Sequence, residues 1–347
     1  MPSVRAHLRQ GHVIPAHPLA LTQRRTLDER RQRALTRYYV DAGAGGIAVG
    51  VHTTQFAIRE HGLYRPLLEL AAETARAALA PSGRQFALVA GVCGKTRQAV
   101  AEAAVARALG YDVALLSLAE LRDATDRDLI RHARTVAEVM PLFGFYLQPA
   151  VGGRVLSHAF WRQLAELPGL WAIKIAPFDR YATLDVVQAV VEAGRDDVAL
   201  YTGNDDSIVA DLLTPFPVAT RGVARVRWMD GGLLGQWSVW TTRAVELLAR
   251  VKAVRQTGAI PADLIALGSR LTAANAAIFD AANRFAGCIP GIHHVLRSQR
   301  LMRGVWCLDT RERLSPGQAR AIGTARRMNP DLGDDEFVAD RLDRWLS

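Results

Sequence analysis

Short apolar runs alternate with amphipathic stretches along most of the chain, at a spacing of roughly 25 to 35 residues, the pattern of a parallel βα array. The apolar runs predict strands over 12–20, 46–51, 86–92, 113–118, 142–147, 170–176, 198–202 and 218–223. Thr26, Thr96, Ser157 and Thr183 stand where a hydroxyl can accept the orphan N–H groups of a helix start. Gly43, Gly110 and Gly194 stand at the opposite ends, where a left-handed residue stops a helix. Eight strands with intervening helices predict an α/β fold, a closed (β/α)8 TIM barrel in preference to an open doubly wound sheet. From about residue 228 the strand signal gives way to helical patterns over 233–254, 262–285, 292–302 and 316–328. The expected organisation is a barrel over 1–227 that carries the active site, with an α-helical extension over 228–347 packed on it.

Composition narrows the class of protein. With 347 residues, half of them hydrophobic, the chain can bury a large core. The net charge of +9 comes from arginine scattered over the helices, without a dense basic run or interleaved aromatics, so no nucleic-acid partner is expected. Cys93, Cys288 and Cys307 are too few and too far apart for a zinc knot or a disulfide framework. The first residues lack an apolar signal core, and no run of about 18 apolar residues occurs, so a cytoplasmic protein without a membrane partner is expected.

Some motifs read as structure. The segment 91–96 ends in Gly94-Lys95-Thr96, yet Val89 occupies the place of the first glycine of a phosphate-binding loop, and the turn is too short to wrap a phosphate. Adjacent His293 and His294 point about 100° apart on a helix and read as a surface or interface pair. Gly231, Gly232 and Gly235, near Trp237 and Trp240, read as close helix packing. Cys93 falls just past strand three and reads as a small buried residue.

Lys174 is different. The chain has three lysines against 40 arginines, and this one lies inside Leu170-Trp171-Ala172-Ile173-Lys174-Ile175-Ala176. Burial disfavours the charged form of an amine and makes the neutral nucleophile accessible, which a guanidinium cannot offer. The plainer reading is a lysine at a strand end with its head in water or in an ion pair. Strand ends of a barrel converge on one site, and four others carry chemistry that fits an amine nucleophile. Tyr146 can relay a proton, Thr53 and Thr54 can hold a carboxylate, and Gly203 lets backbone approach a ligand. Taken singly, Tyr146 reads equally as a core aromatic and the threonines as turn caps.

Tyr146-x-x-Pro149, with Lys174 following 28 residues after the tyrosine, resembles the dihydrodipicolinate synthase and N-acetylneuraminate lyase family. The resemblance extends through 13–16, 49–50 with the threonine pair, 88–91, 164–170, 202–205 and 291–304 with 314–315, nearly the whole chain. It implies a (β/α)8 barrel with a C-terminal helical domain, commonly a homotetramer, so a dimer or tetramer is expected. It implies a lyase, aldolase or dehydratase that acts on pyruvate or a related 2-oxo acid or sugar acid through a Schiff base, with no metal and no organic cofactor. Lys174 would form the imine, Tyr146 would shuttle the proton, and Thr53 and Thr54 would bind the keto-acid carboxylate. The run 50–55 is one residue longer than the family's Gly-Thr-Thr-Gly-Glu, so His52 with Thr53 is an equally fair match. Val151 replaces an arginine of the synthases, with Arg154 the nearest substitute, and 116–121 lacks their Tyr-Tyr. These departures point away from dihydrodipicolinate synthase itself. They also admit a second reading, a catalytically reduced member that binds a keto-acid ligand or serves in assembly.

Overall fold

The computed structural model describes residues 3–220 and 223–347. Residues 1 and 2, part of the stretch read for a signal core, and residues 221 and 222 of the expected eighth strand lie outside the described residues. Among the described residues ten strands occur: β1 (Val13–Pro15), β2 (Gly46–Val49), β3 (Ala87–Val92), β4 (Val113–Leu116), β5 (Leu142–Leu147), β6 (Leu170–Ala176), β7 (Ala199–Thr202), β8 (Phe216–Thr220), β9 (Val223–Arg227) and β10 (Gly231–Leu234). All but β8 and β9 are the strands of a parallel (β/α)8 barrel, and helices from Thr241 to Leu346 form a C-terminal extension. Two compact units divide the chain, one of Met1–His12 with Gln85–Leu233, the other of Val13–Arg84 with Leu234–Ser347.

In the first unit six strands run in the order β10-β7-β6-β5-β4-β3, parallel at each pairing. Strands covered on both faces are apolar throughout, which is why these runs are legible as sequence. On one face Phe143 and Tyr201 meet edge to face at 5.3 Å. On the other, Phe160 and Trp161 of the helix His158–Ala165 are fully buried, each contributing about 2–3 kcal/mol of apolar burial. Ser157 caps that helix as expected, accepting from the Phe160 N–H at 2.9 Å. The helix after β6 starts at Arg180, four residues earlier than expected, because the Asp179 carboxylate accepts from Ala182 N–H at 2.8 Å and leaves Thr183 inside.

The eighth barrel strand differs from expectation. The described residues of the expected strand, 218–220 and 223, belong instead to an antiparallel hairpin of β8 and β9, in register from Phe216↔Arg227 to Thr220↔Val223. The barrel strand is β10, at the glycines read as a helix contact. A Cβ on Gly231 would lie 2.4 Å from the His12 carbonyl oxygen, so only glycine permits this approach. Glycine has low strand propensity, which hid the strand from the pattern.

In the second unit β1 and β2 join through the parallel bridge Ala16↔Ala48, and Gly45 N–H donates to Val13 O at 3.0 Å. The helix Glu29–Asp41 is capped by Asp28, not Thr26, through Arg31 N–H at 3.1 Å. Its Tyr38 ring lies 5.5 Å from Trp345, and its hydroxyl donates to Asp334 at 2.7 Å. Asp334 also accepts from Gln299 at 2.8 Å and from Thr242 N–H at 3.3 Å, all neutral donors. His293 is buried rather than on the surface, and burial lowers its pKa to about 4.

Burial raises the Asp334 carboxyl above its usual range despite those donors. The Asp334→Ala variant strands two buried donors and one half-buried donor and is expected to lose about 2–3 kcal/mol of stability, read as a lower urea midpoint.

Candidate active site

Lys174 is third from the end of β6, and its side chain is buried among apolar neighbours. In the parallel register Phe145 pairs with Lys174 from one side and Tyr201 from the other. The Nζ lies 4.6 Å from the centre of the Phe145 ring, a cation–π distance. Burial pushes the amine down to about 8, against the charge of Asp205, which raises it. The neutral fraction near neutrality is therefore larger than that of a solvated lysine.

Gly203, directly after β7, explains how the amine is confined. A Cβ at this position would come within 2.7 Å of Lys174 Cε, 3.0 Å of its Cγ and 2.7 Å of Ala176 Cβ. Bare backbone thus walls the lysine stem, fixed by Gly203 N–H donating to Ile175 O at 2.7 Å.

The following residues form a buried polar knot. The Asn204 side chain accepts from Phe178 N–H at 3.0 Å and donates to Thr183 at 3.1 Å and Asp211 at 2.9 Å. Asp211 is fully buried, also accepts from Thr202 at 2.5 Å, and is paired with Arg180. The knot ties the loop after β6, where Phe178 adopts a left-handed φ of 53°, to the loop after β7. Sequence reasoning missed it. The available signal was one carboxylate inside the apolar helix Ile208–Leu213.

Tyr146 pairs with Ile175, one residue out of step with Lys174, and so occupies the opposite face of the sheet. Its ring packs 5.2 Å from Trp161, and its hydroxyl accepts from Leu156 N–H at 3.3 Å. Burial, with a smaller contribution from Asp179 and Asp185, raises its pKa against the Leu156 bond. The structure therefore places the Gly203 backbone against the Lys174 stem and Tyr146 in the helix-facing layer.

His52, Thr53 and Thr54 form a single 3-10 turn after β2, in the second unit. Thr53 donates its hydroxyl to Ala16 O at 2.8 Å, and Thr54 donates to His17 O at 2.7 Å while accepting from Gly50 N–H at 3.0 Å. The His52 ring lies 6.1 Å from that of Phe56. Gln55 has a left-handed φ of 66°, a conformation that favours glycine. That is where the second glycine of Gly-Thr-Thr-Gly falls if Thr53 and Thr54 are the threonine pair, which favours this match over His52 with Thr53.

Two other segments are occupied by the protein itself. Cys93 N–H, in the turn that precedes Gly94-Lys95-Thr96, donates to the Glu102 carboxylate at 3.1 Å, so this turn already holds an internal anion. Arg154 donates to Leu121 O at 2.5 Å and Ala124 O at 3.0 Å, bracing two loops. Among the described residues no group of three or more His, Cys, Asp or Glu side chains could hold a metal, and no helix is long and apolar enough to cross a membrane.

The (β/α)8 fold recurs in solved structures. A chloride-inhibited dihydrodipicolinate synthase from Acinetobacter baumannii, complexed with pyruvate, superposes with a TM-score of 0.70 at 18% identity over 91% of this chain and 98% of that one. N-acetylneuraminate lyase from Fusobacterium nucleatum gives 0.70 at 15% identity, over 92% and 99%. In sequence, a 4-hydroxy-tetrahydrodipicolinate synthase from Aromatoleum aromaticum is 30% identical over 195 residues, 54% of this chain. That match spans 61% of the relative's own length. The model of the Dihydrodipicolinate synthetase family matches residues 10–219, well over half of the chain. The chain belongs to the dihydrodipicolinate synthetase family.

Proposed function

We propose that this protein is a Schiff-base-forming lyase, of aldolase or dehydratase type, acting on pyruvate or a related 2-oxo acid or sugar acid. Family membership supports an enzyme of lyase or aldolase type. The observation that carries the finer reading is Lys174, a buried amine with its pKa lowered to about 8, walled by the backbone of Gly203. In the proposed reaction the neutral amine attacks the ketone carbon, water leaves, and the iminium draws electrons from the adjacent carbon–carbon bond. The pyruvate bound by the Acinetobacter synthase is the simplest candidate ligand. The proposal gives the substrate carboxylate to the turn of Thr53 and Thr54, with His52 beside it. Arg154 is spent on loop carbonyls and Val151 offers no charge, so a second substrate would be held differently from that of the synthases. The assembly expected from the resemblance, a homodimer or homotetramer, remains part of this proposal, as does a cytoplasmic setting.

Reductive trapping tests the proposal. Pyruvate or a small panel of 2-oxo acids with cyanoborohydride is expected to add one adduct mass, mapped by peptide sequencing to Lys174. No adduct from any of them sinks the lyase reading, and an adduct without turnover of any aldol substrate favours the ligand-binding one. Lys174→Arg should remain folded and show no trapping; an adduct in that variant would implicate Lys95 or Lys252. Neutral amine accumulates as pH rises through the lowered pKa, so the trapping rate should climb with a midpoint near 8 rather than in the ordinary lysine range. Gly203→Ala, which pushes a methyl into the lysine stem, should slow trapping by about 100-fold with little change in circular dichroism.

A further inference from the structure

The turn of Thr53 and Thr54 is fastened to a single peptide of the C-terminal extension. Gln55, the residue after the two threonines, turns its amide oxygen to Leu308 N–H, which donates to it at 2.6 Å. The carbonyl of that same peptide, Cys307 O, accepts from Arg25 Nε at 2.8 Å. Arg25 lies in the loop between β1 and the helix Glu29–Asp41, and the carbonyls of Ala16 and His17 in this loop take the threonine hydroxyl protons. The loops that follow β1 and β2 are thus bonded to each other and to one peptide plane.

Both residues that grip this peptide are left-handed, Arg25 at φ 57° and Gln55 at φ 66°. Neither is glycine, so each conformation is strained and persists only where its surroundings over-determine it. A glycine at 55 would adopt the same φ freely but would offer Leu308 no acceptor. Gln55, Cys307 and Leu308 are buried, so no water stands ready to replace the lost partner. Leu308 belongs to no helix or strand, which leaves its N–H available to a side chain.

We infer that Gln55 is a positioning residue, and that the Cys307–Leu308 peptide, gripped by Gln55 and Arg25, sets the affinity of the threonine turn for the keto-acid carboxylate. This rests on the reading of that turn as the carboxylate site. The brace ends on the turn and on the loop after β1, so it acts on substrate binding and leaves the chemistry of Lys174 alone. The rival role for Gln55 is direct contact with substrate, since its Nε2 has no acceptor in the protein. The two roles separate on Leu308→Pro, which removes the donor of the brace and leaves Gln55 in place.

The test follows reductive trapping by the whole chain against pyruvate concentration. Gln55→Gly should raise the half-saturating concentration by about tenfold, with the saturated rate within about twofold of wild type. The pH midpoint of trapping should not move. Acetone, which has the ketone but no carboxylate, should be trapped by Gln55→Gly as by wild type. Leu308→Pro should give the same shift, and the double variant should shift no further than either single, because both remove one bond. An unmoved half-saturation in Gln55→Gly overturns the inference, as does an equal loss with acetone. A normal half-saturation in Leu308→Pro, or singles that multiply to about 100-fold, assigns Gln55 to direct contact and overturns it too. If the proline variant does not fold, Arg25→Met decides, since it frees the other end of the same peptide. It should raise half-saturation at an unchanged saturated rate, and no shift overturns the brace. Wild-type protein that traps no oxo acid refutes the Schiff-base reading itself, so the two failures remain distinct.

Discussion

The amine of Lys174 stays inside a parallel sheet because the adjacent loop offers it backbone instead of a side chain. At Gly203 the missing methyl is the space that the lysine Cε and Cγ occupy. That close approach sets the rest of the site. It removes water from the amine, and desolvation is the larger influence on its pKa, with Asp205 opposing it.

A loop that passes so close to a strand needs its own anchorage. The buried amide of Asn204 and carboxylate of Asp211 provide it by satisfying each other and the hydroxyls of Thr183 and Thr202, with Arg180 closing the charge. Leaving one buried group of this kind without a partner typically costs about 1–3 kcal/mol, so the knot is expected to hold as a unit. The strained backbone of Phe178 sits within its reach. Packing elsewhere follows ordinary rules, with Phe143, Tyr201, Phe160 and Trp161 filling the two faces of the strands.

Much of the barrel was legible. Continuous apolar runs at β5 and β6 matched the strands end for end, since a strand buried on both faces has little choice of residue. The eighth strand was not legible because Gly231 serves a close approach to His12, while the β-branched Val218 and Thr220 belong to a hairpin outside the barrel. Helix starts slipped where an aspartate competed with a nearby threonine, at Asp28 and Asp179. Of the candidate site, Lys174 and Gly203 were visible as an amine in an apolar run and a glycine past a strand. The partners of Asn204 lie on three segments and were not.

What the sequence determined by itself was the class of fold and the family pattern, because each is written in local periodicity or in a motif of fixed spacing. What only the tertiary structure decided was the company that Lys174 keeps. A spacing of 28 residues between Tyr146 and Lys174 carries no information about strand register. Pairing Phe145 with Lys174 places the tyrosine on the other face, because side chains alternate along a strand and a one-residue offset reverses every one of them.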